Sequence, residues 1–183
     1  VQIHTDVDIA FDPDSFRYQG PNTQRCFKLF SDLGFRTLVA DYAPTISAIE
    51  TDYEIIRSPA DLETLIAAVK QSGRCAVHVL ADSAKPMQAS LVGIALSFAT
   101  GHGRYIPLGH LTLGAESNLD LSKTLESLSP LLQDPTVAKI GHNLKFGGVL
   151  LARYGVPVEG FDVDTMIVSY VLDATRSSHR FED

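Results

Sequence analysis

The chain has 183 residues, 45% of them hydrophobic and 20% charged, with 13 Gly and 9 Pro, a composition that excludes disorder, collagen and coiled coil. A chain this long buries roughly 70% of the surface its unfolded form exposes, so it needs neither disulfides nor a structural metal to fold. With 15 Lys plus Arg against 22 Asp plus Glu the formal charge is -7, the wrong sign for binding nucleic acid through bulk electrostatics; any such role requires a local groove. Cys26 and Cys75 stand far apart with no Cys-x-x-Cys and no Cys/His spacing, which points to a reducing cytosol and away from zinc. The first residues carry His4, Asp6, Asp8, Asp12 and Asp14 where a signal peptide needs an apolar run, and no later stretch approaches about 18 apolar residues, so no membrane partner is expected. A first residue Val1 and a helical pattern running up towards Asp183 make a fragment of a longer protein the expectation.

In chain order, alternation predicts a strand over Val1–Phe11, a turn-rich patch around Asp12, Pro13, Gly20 and Pro21, and a short amphipathic helix over Asn22–Leu33. Residues 1–40 form one segment. Residues 41–51 show no clear period and no apolar face, which marks a linker, and residues 52–183 form the main domain. There a short strand at Tyr53–Ile56 leads to Ser58-Pro59-Ala60-Asp61, with Ser58 as N-cap and Pro59 at the first helical position of a helix ending at Gly73. Cys75–Leu80, Leu91–Phe98 and Arg104–Leu108 are three apolar, β-branched runs that read as an antiparallel meander. A helix over Leu121–Leu132, a strand over Val137–Gly141, a helix from Asn143 to Tyr154, a short strand near Phe161 and a helix from Asp164 to Leu172 complete the pattern. The implied fold is α/β, a mixed sheet with helices on its faces.

Several blocks sharpen this into a resemblance. Ala89-Ser-Leu-Val-Gly-Ile-Ala-Leu-Ser-Phe98, Arg104-Tyr-Ile-Pro-Leu-Gly-His110, Lys139-Ile-Gly-His-Asn-Leu-Lys-Phe146 and Phe161-Asp-Val-Asp-Thr-Met-Ile-Val-Ser-Tyr-Val-Leu172 resemble, in order, the 3′ to 5′ exonuclease domain of bacterial family-A DNA polymerases. His4-Thr-Asp-Val-Asp8 and Cys26-Phe-Lys-Leu-Phe-Ser-Asp-Leu-Gly-Phe-Arg36 resemble the tail of the 5′-nuclease domain that precedes it there. The resemblance implies a ribonuclease H-like mixed sheet, incomplete at its C-terminal end, a short N-terminal strand-loop-helix segment, and a cytoplasmic, nucleoid-associated parent acting in DNA replication and repair.

In active relatives two Mg²⁺ ions, held by clustered carboxylates, activate water and stabilise the leaving oxygen of a phosphodiester. The first strand supplies Asp-x-Glu, two residues on one strand face; here those slots hold His78 and Leu80. The second motif, Asn-Leu-Lys-Tyr-Asp, stands as Asn143-Leu144-Lys145-Phe146-Gly147, so its carboxylate slot holds a residue without a side chain. The third motif lies beyond Asp183. No bound metal or other cofactor and no catalytic residue is therefore expected, and DNA contact is expected to be weak for this chain and to come through the parent and its polymerase domain in cis. Asn143, Lys145 and Phe146 are the nucleic-acid-binding candidates, against plainer readings: Asn143 as a helix N-cap, Phe146 as part of a core stripe with Val149, Leu150 and Tyr154. Asp164 reads as a helix cap rather than a ligand, Asp82 as a turn residue, and His110 as a half-buried, hydrogen-bonded side chain. Two other functions stay open: an active nuclease with ligands relocated to Asp82, Asp162, Asp164 or residues past Asp183, and a non-enzymatic domain that binds a protein through its acidic N-terminal segment.

Overall fold

The computed structural model describes residues 12–14, 17, 18, 20–43, 51–111 and 118–181. The chain divides into two compact units, Val1–Ile49 and Glu50–Asp183. In the first, Asn22 opens α1 (Thr23–Asp32) by accepting the Arg25 N–H at 3.0 Å, as an N-cap does for a donor that has no intrahelical partner. A second helix, α2 (Arg36–Tyr42), follows, and the Phe30 ring meets those of Phe35 and Tyr42 at centroid distances of 6.2 and 5.4 Å. Asp41 and Tyr42, expected in the linker, instead close α2, where the Tyr42 ring meets Phe30 in a contact that no sequence periodicity betrays. Residues 44–50, and the strand expected over Val1–Phe11, lie outside the described residues.

The second unit is built on a six-stranded mixed sheet flanked by helices, the mixed α/β sheet that the sequence implies. Its strands are β1 (Asp52–Ile55), β2 (Arg74–Ala81), β3 (Leu91–Ser97), β4 (His102–Pro107), β5 (Ala138–Gly141) and β6 (Phe161–Asp164), in the spatial order β1-β4-β3-β2-β5-β6. β2, β3 and β4 pair antiparallel as a meander, while β1 on β4, β5 on β2 and β6 on β5 are parallel. Helices α3 (Pro59–Ser72), α4 (Leu121–Leu132), α5 (Leu144–Arg153) and α6 (Thr165–Leu172) connect or follow these strands.

Local chemistry explains the boundaries. Ser58 caps α3 by accepting the Asp61 N–H at 3.2 Å, and its hydroxyl donates to the Asp61 carboxylate at 2.7 Å. Gly73 ends the helix at φ +69°, a conformation that favours a residue without Cβ. Along β2, Cys75, Val77 and Val79 are buried while Ala76, His78 and Leu80 face the other way, exposed, which is the period-2 alternation of a strand covered on one side. The buried set joins Ile94, Leu96 and Ile106 of the neighbouring strands, Leu65 and Val69 of α3, and Leu128 and Leu131 of α4 in one core. Lys139 of β5 is fully buried in it, opposite Cys75, and its ammonium donates to the Asp134 carbonyl just past α4. Burial holds the Lys139 pKa below its ordinary value and raises the Cys75 thiol to about 11, since the low-polarity interior disfavours either charge.

Candidate functional site

The site forms where β2 outruns its neighbour. β5 pairs with β2 only through Arg74, Cys75 and Ala76, which leaves Val77–Ala81 without a partner strand on that side among the described residues. α5 packs against this stretch so closely that a Cβ on Gly147 would lie 2.9 Å from Val79 Cγ2. His78 and Leu80 point to the exposed face, as expected for two residues apart on one strand, whereas Gly147 on α5 lies against Val79 of the buried face; all three line one cleft.

One carboxylate fixes the approach of both helices. Asp164, at the end of β6, accepts the N–H groups of Asn143 at 2.9 Å, Leu144 at 2.8 Å and Met166 at 2.9 Å, so it caps α6 as its own N-cap residue and α5 from outside. Burial alone would raise its pKa, but the Leu144, Asn143, Met166 and Ile167 N–H groups outweigh burial and hold it below the ordinary range. With the cap supplied by Asp164, Asn143 makes no side-chain cap bond; it sits at the N-cap position in the left-handed region, φ 56° and ψ 51°. Asn tolerates that region better than most residues with a Cβ. Of the two readings of Asn143 the side-chain cap is thus the one that fails: the residue holds the N-cap position, but its side chain makes no cap bond, and the helix start is held instead by Asp164 through the N–H groups of Asn143 and Leu144.

His142 precedes it. Its Nδ1 lies 3.0 Å from Thr165 Oγ1, and that hydroxyl donates to the Gly141 carbonyl at 3.2 Å. The chain after α6 then returns to the same place. His179 is 9% exposed, its Nδ1 is 2.8 Å from Ser169 Oγ, its ring stacks on Tyr170 at 3.6 Å, and its Nε2 has no hydrogen-bond partner. Phe181 meets the His142 ring edge-on at 5.6 Å.

These elements enclose an open cleft of about 680 Å³ lined by His78, Leu80, Asn143, Phe146 and Gly147 together with His142, His179, Arg180 and the rings of Phe161, Tyr170 and Phe181. The structure thus brings together every candidate position except Lys145, which is exposed on α5 and lies outside the lining; Phe146 is partly buried and packs against the core, as its core-stripe reading expects, while also lining the cleft. Among the described residues no Asp or Glu lines the cleft, and no three His, Cys, Asp or Glu side chains come together in a way that could hold a metal ion. Of the acidic residues considered as alternatives, Asp82 binds the Ser90 N–H at 2.7 Å in a turn, Asp162 is exposed, and Asp164 faces the two helix ends. His110 has its Nε2 2.6 Å from Tyr105 Oη, away from this cleft. Arg180 and His179 carry no local sequence signal for a site, since only the return of the chain after Leu172 brings them here.

Known proteins resemble the chain throughout. Residues 53–183 match the family described as 3′-5′ exonuclease, of DNA polymerase A. The chain is 28% identical to the DNA polymerase I of Pseudomonas aeruginosa over 97% of its own length and 21% of that protein. It is 34% identical to the DNA polymerase I of Rhizobium leguminosarum over 82% of its length and 16% of that one. It therefore spans about a fifth of the length of the curated relatives it matches. Among solved structures, a POL domain of Pol1 from M. smegmatis in complex with DNA primer-template and dNTP superposes with a TM-score of 0.54 at 25% identity, covering 68% of this chain and 20% of that one. The catalytic core of RRP6 from Trypanosoma brucei shares the fold, with a TM-score of 0.52 at 13% identity, over 70% of this chain and 33% of that one.

Proposed function

The chain belongs to the 3′-5′ exonuclease family of DNA polymerase A, and from that premise we propose that it is an exonuclease domain that no longer cleaves, kept inside a DNA polymerase as a scaffold. The observation that carries this is the donor set of the cleft. Mg²⁺ takes oxygen ligands and is held in such nucleases by carboxylates, whereas the described lining offers imidazole, guanidinium, amide and apolar side chains and no carboxylate. The described residues of the cleft do not fit a Mg²⁺ pair. Relocated ligands are disfavoured by what the alternatives already do: Asp82 and Asp164 are bound to backbone N–H groups.

On this reading the parent binds DNA through a polymerase domain in cis, acts in replication and repair, and is cytoplasmic and nucleoid-associated. No helix among the described residues is long and apolar enough to cross a membrane. The test is a single-turnover cleavage assay on a 3′-labelled single strand with Mg²⁺ or Mn²⁺. No product above the metal-free control is expected; metal-dependent release of mononucleotides, abolished by Asp162→Asn or Asp164→Asn, would establish the relocated-ligand reading instead.

A further inference from the structure

The helical hairpin of the first unit carries apolar surface that its own contact does not use. α1 and α2 have ten and seven residues, each too short to hold a helix in water by itself, and they meet through the rings of Phe30, Phe35 and Tyr42. Yet Leu29 is 54% exposed, Leu33 56%, Phe35 50% and Leu38 37%, and α1 buries none of its residues. Leu29 and Leu33 lie one turn apart and so form one apolar row along α1. A row of this kind on so short a hairpin marks a surface that another body covers.

The charges beside the row select that body. Lys28 and Asp32 flank it, also one turn apart and both exposed. Within one helix a cation four residues before an anion is the less favourable order, and neither residue forms an ion pair among the described residues. A second α1 running antiparallel reverses the order. With a twofold axis at the level of Phe30 and Ser31, Leu29 of each copy meets Leu33 of the other, and Lys28 of each comes within reach of Asp32 of the other. The surface is therefore self-complementary, as an isologous contact requires. The chain has a formal charge of -7, but residues 20–43 hold Arg25, Lys28 and Arg36 against Asp32 and Asp41. The hairpin is close to neutral, so repulsion between two copies is weakest where they would meet.

We propose that the chain pairs with a second copy of itself through this face, two hairpins packing antiparallel as a four-helix bundle around Leu29 and Leu33. The apolar row is short, so the dimer is weak. Sedimentation equilibrium of the whole chain between about 5 and 500 μM tests this, the range in which a small interface dissociates. The average mass should rise from 19.9 kDa towards twice that value and stop there, because a twofold contact closes on itself. Leu29→Gln combined with Leu33→Gln should leave the chain monomeric throughout. Lys28→Asp alone, or Asp32→Lys alone, sets like charges face to face and should weaken pairing roughly tenfold. The two charge changes together restore opposite charges across the axis and should return most of the affinity. That rescue distinguishes pairing in this register from association through the exposed Val171 and Leu172 of α6. A mass of 19.9 kDa at every concentration would overturn the proposal and leave the face to a different partner. A dimer indifferent to the two leucines, or charge variants without rescue, would overturn it too. Circular dichroism melting of each variant separates loss of pairing from loss of fold.

Discussion

Replacing Asp164 with Ala tests the architecture of the site most directly, because one side chain holds both helix N-termini in place. It removes three bonds of 2.8 to 2.9 Å to the N–H groups of Asn143, Leu144 and Met166. An N-cap is worth typically about 1 kcal/mol, up to about 2, and a carboxylate at a helix N-terminus adds about 0.3–1 through the dipole. Two helices depend on this one group, so the loss should be about 3 kcal/mol, or a fall of roughly 10 °C in Tm for a unit of this size. Asp164→Asn keeps a carbonyl acceptor and loses the charge, so it should cost about half as much.

The same residue gives a pH signature. Its folded pKa is depressed below the ordinary aspartate value of 3.8, so its contribution is fully present above that value and is lost as the pH falls through the folded pKa. Urea unfolding followed by circular dichroism at neutral pH and between about pH 4 and 2 reads both effects. The parent should lose stability over the acid range more steeply than Asp164→Asn. An Ala variant within about 0.5 kcal/mol of the parent would refute the double cap, since surface changes away from special features have effects of that size.

Two further outcomes follow from the core. Lys139→Ala should lose about 3 kcal/mol in urea unfolding, because it removes a fully buried stem and leaves the Asp134 carbonyl without its donor. With a thiol reagent near neutral pH, Cys26, which is partly accessible, should react in the native protein, and Cys75, buried with its pKa raised to about 11, only on unfolding; two equally fast thiols would contradict the core assignment.

What the sequence carried was mostly local. Ser58, Pro59 and Gly73 bound α3 because capping chemistry is set by a few consecutive residues. The strands of the meander are legible because their neighbours are near in the chain and their apolar residues alternate. The parallel pairing of β1 with β4 joins Asp52 to His102 across fifty residues, and no local pattern encodes that. The burial of Lys139 was hidden for a related reason: a charged side chain reads as solvent-facing unless the distant carbonyl that receives it is known. At the site, His78, Leu80 and Gly147 could be found by their place in motifs, and the period-2 rule assigns the first two to one face. His142, His179 and Arg180 could not be found in that way. Their significance comes from the Thr165 hydroxyl, the Tyr170 ring and the return of the chain past α6, which are tertiary facts.

On the proposed reading, packing sets Gly147 apart from His78 and Leu80, and this bears on why such a cleft would persist. Clustered carboxylates without metal repel one another and have their pKa values driven up, so a domain that no longer uses them is relieved by losing them. His78 and Leu80 lie on the exposed face of β2, where a carboxylate in place of either would meet no packed core. Gly147 is different. With no side chain at 147, α5 lies against Val79, and a Cβ there would stand 2.9 Å from Val79 Cγ2. Overpacking of this kind costs about 1–3 kcal/mol unless the valine turns away, and Val79 is held by the core through Ile94, its partner on β3. A carboxylate at 147 would therefore need Val79 to shrink as well as its own residue to change. A domain that had only lost its ligands could regain them by three substitutions, whereas the contact between α5 and β2 adds a fourth, and it lies in the core rather than in the cleft.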